Sequence, residues 1–381
     1  MPRIQPHIQI RIRSAAVLAA SFLVLSASAL AQQVPPAVKA AEASIDSEKI
    51  RAHVKFLSDD LLEGRGPGLR GSEIAAQYIA TQFALYGLKP GGDNGTYLQQ
   101  INMVGMNAIP EKTTMSIIPP KRPEGQIGIM LYSYDLKYGD DYTVSNRTLT
   151  PTVDIDAPIV FVGYGITAPE FNWNDYANID VKGKVILCIV GDPPSTDPNF
   201  FGGDALTYYG RWTYKFEQAA RMGAIGALII HRTDLASYGW DVVKNSNTSE
   251  KTYIRDNKDP QLEAASWIQL DVAKQIFKSS NLDADAEIEA AGKRGFKAVE
   301  LPVRLHAHVE SVVRPFQSPN VVGILRPNAP CPKVEVKPCS EKDQAVLYTA
   351  HFDHLGFVPG MPGDNIYNGA ADNATGVGML L

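Results

Sequence analysis

Two apolar runs with one amphipathic segment between them set the strongest limit on this fold. Lys184–Val190 (KVILCIV) and Gly223–Ile230 (GAIGALII) carry no polar alternation, the mark of strands covered on both faces. Lys215–Met222 has helical spacing, and Pro158–Gly163 (PIVFVG) adds a further strand upstream. Strand, helix, strand in this order predicts a small mixed α/β module. Composition agrees: 45% of the 381 residues are hydrophobic and 20% charged, enough to bury a sizeable core. A formal net charge of −5 argues against a nucleic-acid binder, and three cysteines are too few for a disulfide-built scaffold.

The N-terminus points to export. Arg3, Arg11 and Arg13 precede an apolar run, Ala15–Leu30, that ends at Ala29-Leu30-Ala31. A basic start, a short apolar stretch and an Ala-x-Ala site predict a cleavable signal peptide over residues 1–31. The run is shorter than the roughly 20 residues a membrane span needs. A periplasmic or secreted protein with no stable membrane anchor is expected. Cys188 reads as a buried small hydrophobe, whereas Cys331 and Cys339 bracket a short loop as either a disulfide or two free thiols.

Residues 32–44, rich in Pro and Ala, read as a flexible start. Ile50, Val54, Leu57 and Leu61 predict an amphipathic helix with an acidic first turn, and Ser72 is the expected N-cap of a second. The glycines of Gly64–Gly68 follow no strand and precede no Gly-Lys-Ser/Thr, so they read as a plain loop. Short strands are expected over 97–160, then Val303–Val309, Asn320–Leu325 and Ala345–Ala350.

The chemistry concentrates near the C-terminus. His351-Phe352-Asp353-His354 follows the expected strand Ala345–Ala350, and ligands in open α/β sheets collect beyond strand carboxyl ends. A metal-binding imidazole needs a carboxylate to fix its orientation, which His-x-Asp supplies. Asp372 lies where a loop turns into a helix, so His351 and Asp372 form the start of a zinc site, or else a solvated loop with a capping Asp. His306 and His308 share one strand face and read as ordinary surface; His53 and His231 read as structural. Trp173, Trp212, Trp240 and Trp267 read as core or rim packing. No G-x-S-x-G motif occurs, which disfavours a serine hydrolase.

TAHFDHLG (Thr349–Gly356) with NGAADNATGVGMLL (Asn368–Leu381) resembles the di-zinc aminopeptidase family that contains aminopeptidase Y and bacterial leucyl aminopeptidases. Phe56–Gln100 is similar to the N-terminal segment of its secreted bacterial members. Val160–Pro169, Val181–Pro194 and GAIGALII are similar to the protease-associated domain inserted in them. The resemblance implies an exported zinc exopeptidase acting on peptides, with His351 as a ligand of one zinc, Asp353 as the catalytic residue holding that imidazole, and Asp372 bridging two zinc ions. It implies an α/β peptidase domain with a mixed, mostly parallel sheet flanked by helices over 45–155 and 305–381, interrupted by a smaller protease-associated domain over 156–304. The family's pattern continues with a Glu-Glu pair, a further Asp and a distal His, which this sequence does not reach before Leu381. The chain therefore reads as C-terminally truncated and inactive by itself. A carboxypeptidase- or cyclase-type relative and a non-catalytic binding protein are the alternatives.

Overall fold

The computed structural model describes residues 34–120, 133–326, 345–358, 360 and 362–381. The expected signal peptide and the pairing of Cys331 with Cys339 lie outside the described residues. Ten strands run in chain order as β1 (Leu98–Ala108), β2 (Thr114–Ile118), β3 (Tyr134–Leu136), β4 (Tyr142–Ser145), β5 (Thr152–Phe161), β6 (Val185–Ile189), β7 (Gly226–His231), β8 (Lys251–Ile254), β9 (Ala264–Gln269) and β10 (Val299–Val321). The helices that matter here are α1 (Ser47–Leu57), α2 (Arg70–Leu85), α3 (Trp212–Arg221), α4 (Leu270–Ser279), α5 (Ala284–Ala291) and α6 (Thr375–Leu380). The chain divides into two units, Gly66–Pro330 and Met1–Arg65 with Cys331–Leu381.

In the larger unit the ten strands share one mixed sheet, along the path β8-β1-β10-β5-β6-β7-β9-β4, with β2 on β10 and β3 on β2. The links β5-β6, β6-β7 and β7-β9 are parallel; the others are antiparallel. The unbroken apolar run of β6 now has its reason. Val185, Leu187 and Ile189 pack on one side with Ile276 and Phe277 of α4, while Ile186 and Cys188 pack on the other with Phe216 and Ala219 of α3. Both faces are covered, so neither tolerates a polar residue. Cys188 is fully buried and free, and burial raises its thiol pKa to about 12.

The 23-residue β10 joins the two halves of this sheet. Residues 299–310 pair with β5 and residues 311–321 with β1. Segment 156–304 therefore shares its sheet with strands before and after it, and forms no separate unit.

In the smaller unit α6 lies on α1. A Cβ at Gly378 would come 3.2 Å from the Ile50 carbonyl oxygen, so glycine permits the close approach. Asp46 caps α1, accepting from the Glu48 amide at 2.9 Å.

Several expectations are corrected. Residues 36–43 form a helix with Pro36 in its first turn, where a missing N–H costs nothing. Ser72 is no cap: α2 starts at Arg70, and the Ser72 hydroxyl donates to the Leu69 carbonyl at 2.9 Å. Ala345–Ala350 is not a strand. It has no ladder partner among the described residues, and Val346, Leu347 and Tyr348 are each at least 80% exposed. Apolar β-formers make a strand only where another strand supplies hydrogen bonds.

Candidate metal centre

The site lies in the smaller unit, on two loops: 351–356, and 368–374 leading into α6. His351 Nε2 stands 3.1 Å from Asp372 Oδ1. On the other edge of the ring, Nδ1 is 3.2 Å from the Asp353 carbonyl oxygen and 3.4 Å from Asp353 Oδ1. The imidazole is thus held between two acidic residues. His354 Nδ1 lies 4.0 Å from Asp372 Oδ2, and burial lowers its pKa against the pull of Asp372. The His351 and Asp372 side chains are more than half open to solvent and that of Asp353 nearly half, whereas His354 is mostly covered.

Asp372 and Asn373 depart from helical dihedrals, the peptide between them is cis, and the α-helix begins only at Thr375. Asn373 ties the loops together: its Nδ2 donates to the His351 carbonyl at 3.3 Å, and its Oδ1 accepts from the Gly376 amide at 3.2 Å.

One residue that the sequence analysis passed over holds the whole arrangement. Arg65, 1% exposed, sits in the glycine-rich loop read as plain. Its Nε donates to the Phe352 carbonyl at 2.7 Å and Nη2 to the Gly369 carbonyl at 2.8 Å. Nη1 donates to Asn368 at 2.6 Å and also to Leu57. The Arg65 carbonyl accepts from the His354 amide at 3.1 Å, and the Gly64 carbonyl from Gly356 at 3.0 Å. Burial pulls the guanidinium pKa below its ordinary value, while Asp353 and Asp372 push it back up. Gly64 has φ +67°, and a Cβ there would collide with the backbone of Gly356 and Tyr367. A lone Arg between glycines carries no motif; three of its four partners are backbone carbonyls about 300 residues away, invisible to spacing arguments.

The donor set fits zinc in kind. Zinc takes imidazole nitrogen and carboxylate oxygen, and two donors about 2.0–2.1 Å from a tetrahedral ion stand roughly 3.3 Å apart. The His351–Asp372 separation of 3.1 Å is close to that edge. Among the described residues no third His, Cys, Asp or Glu completes a cluster. His306 and His308 do not gather one either: His308 pairs with Asp154 at 2.7 Å on the exposed face of β10. His231 is buried and contacts the Tyr238 carbonyl at 3.0 Å, and His53 is buried on α1. Trp173 and Trp267 are core residues, and Trp212 and Trp240 are partly buried against the same packing.

Residues 332–381 match the model of peptidase family M28. That segment contains both loops of the site. No curated protein matches the chain. Among solved structures, the aminopeptidase from Aneurinibacillus sp. strain AM-1 is 20% identical, with 87% of this chain and 57% of that one covered and a TM-score of 0.38. BSAP, a zinc aminopeptidase from Bacillus subtilis, is 14% identical at 87% and 55% coverage, with a TM-score of 0.30. The peptidase M28 precursor from Shewanella amazonensis SB2B is 13% identical at 72% and 49% coverage, with a TM-score of 0.31. The chain spans about half the length of these structures.

Proposed function

We propose that the chain belongs to an exported M28 metallopeptidase, an aminopeptidase that removes N-terminal residues from peptides. The observation that carries this reading is the convergence of His351 Nε2 and Asp372 Oδ1 at 3.1 Å inside the segment that matches the M28 model. His351 and Asp372 would hold zinc. When bound, zinc lowers the pKa of a water nucleophile and polarises the scissile carbonyl. Asp353 fixes the tautomer and plane of His351, so that Nε2 is the free ligand. Arg65 positions both loops without touching the reacting atoms. Residues 1–31 direct export.

The test is hydrolysis of aminoacyl-nitroanilides by the full-length protein that carries this chain. Chelator-sensitive release that zinc restores is expected. Release that survives exhaustive chelation would overturn the reading. Peptide binding without hydrolysis would move the protein to the class of non-catalytic binders.

A further inference from the structure

The larger unit holds two neighbouring cations with no anion between them. Arg147 follows β4, and Lys251 opens β8. The turn that carries Arg147 is fixed from inside. Asn146, 1% exposed, donates through Nδ2 to the Thr150 carbonyl at 2.6 Å, and its Oδ1 accepts from the Thr148 amide at 2.9 Å. The Arg147 amide donates to the Leu262 carbonyl at 3.1 Å. Its guanidinium carbon lies 5.0 Å from the centre of the Phe216 ring on α3 and 5.8 Å from that of Tyr253 on β8, within cation–π range of both. Lys251 and Tyr253 stand two apart on one strand and so share a face. Their partners in register on β1, Met106 and Val104, are buried. Both charges therefore stand against an apolar floor.

Hydrogen bonding here is unfilled. Arg147 Nε is buried with no acceptor. Neither the rest of the guanidinium nor Lys251 Nζ makes a side-chain hydrogen bond or an ion pair among the described residues. The carboxylate next in sequence, Glu250, is engaged by Arg314 at 2.6 and 2.9 Å. Burial lowers the Lys251 pKa, and the positive charge of Arg147 lowers it further. A half-covered pair of like charges repels, and a charged donor without an acceptor costs free energy. One class of ligand removes both penalties: an oxyanion with two negative charges and several acceptor oxygens.

We propose that Arg147 and Lys251 form a binding site for a small, doubly charged oxyanion of the phosphate or sulfate class. The planar fork of Arg147 donates to two oxygens, and the Lys251 ammonium donates to a third. A single carboxylate would balance only one of the two charges, which sets the preference for a dianion. The inference stands apart from the metal centre and holds whether or not that centre is catalytic.

A phosphorus-31 NMR titration of inorganic phosphate with the full chain tests it, in chelator and at constant ionic strength set with chloride. Saturable binding is expected, with a Kd of about 1 mM or tighter, displaced by sulfate but not by the same concentration of acetate. Arg147→Gln and Lys251→Gln should each weaken it at least about tenfold, the scale of one charge-assisted hydrogen bond. His351→Ala should leave it unchanged. Lys251→Gln removes a like-charge repulsion, so its unfolding midpoint in chloride should not fall, and this variant carries the test whether or not Arg147→Gln folds. Unsaturable binding, equal displacement by acetate, unchanged affinity in Lys251→Gln, or loss of binding in His351→Ala would each overturn the proposal.

Discussion

At the scale of single residues, Arg65 carries more of the site than any ligand does. Its planar fork fans out to four backbone carbonyls, a pattern lysine cannot reproduce with one compact ammonium group. Arg65→Ala should cost more than about 3 kcal/mol in unfolding free energy of the smaller unit, because it strands several buried acceptors. Arg65→Lys should recover only part of that loss. Denaturant unfolding checks the energy, and hydrogen exchange at the His354 and Gly356 amides checks the location. Asp353→Asn tests a different role. It leaves both donors in place but weakens the hold on His351 Nδ1, so zinc affinity should fall about 10- to 100-fold with little change in stability. Equilibrium metal titration with a competing chelator measures it. The grouping of His351, Asp353 and Asp372 was expected from the sequence, because a zinc site would call for those residue types at loop ends. Arg65 was not, because its partners are main-chain atoms that any sequence presents.

Secondary-structure elements divide by whether a local pattern meets a tertiary partner. The runs of β6 and β7 were readable because both faces are buried, and a polar residue at any position would cost free energy. Ala345–Ala350 has the same kind of composition, yet it stands exposed and unpaired among the described residues. Local preference alone does not make a strand. The contrast predicts opposite responses to similar changes. Leu187→Ala, at a fully buried position, should cost about 2–5 kcal/mol. Leu347→Ser, at 84% exposure, should change the stability of this chain by less than about 0.5 kcal/mol. Thermal and denaturant unfolding of the two variants decides it, and a large cost at Leu347 would show that the segment packs on something. The expected N-cap at Ser72 failed for a related reason: several residues near a helix start can cap it, and only the backbone geometry selects one.

Across the whole molecule, the larger unit buries charge in its core. Lys215 of α3 is fully buried, donates to the Gly191 carbonyl at 2.8 Å, and lies 5.8 Å from the Tyr164 ring. Burial lowers its pKa to about 8, against the attraction of Cys188, Asp192 and Asp175. Asp175 is pushed up to about 6, again mainly by burial. The two shifts have opposite signs. Because the folded pKa of Lys215 lies below its unfolded value, the unfolded chain binds more protons between about pH 8 and 10.5, and stability rises with pH there. Asp175 has a folded pKa above its unfolded value, so stability falls as pH rises from about 4 to 6. Relative to Lys215→Met, the wild-type protein should therefore gain stability between pH 8 and 10, by up to about 1.4 kcal/mol per pH unit. Unfolding curves for both proteins across that range measure the difference. The α/β class and the parallel run β5-β6-β7-β9 were readable from the sequence, but the sheet is not mostly parallel as expected: its other six strand links are antiparallel. The sharing of one sheet between 156–304 and its neighbours was not, because β10 pairs with strands about 140 to 220 residues upstream and such pairings leave no periodic trace.

The central claim is that His351 and Asp372 form a metal centre, and equilibrium zinc titration of the protein tests it most directly. Wild-type protein should take up zinc, while His351→Ala and Asp372→Asn should each bind at least about tenfold more weakly, the scale expected for losing one ligand from a first-row metal site. Equal zinc affinity in all three proteins would contradict the account.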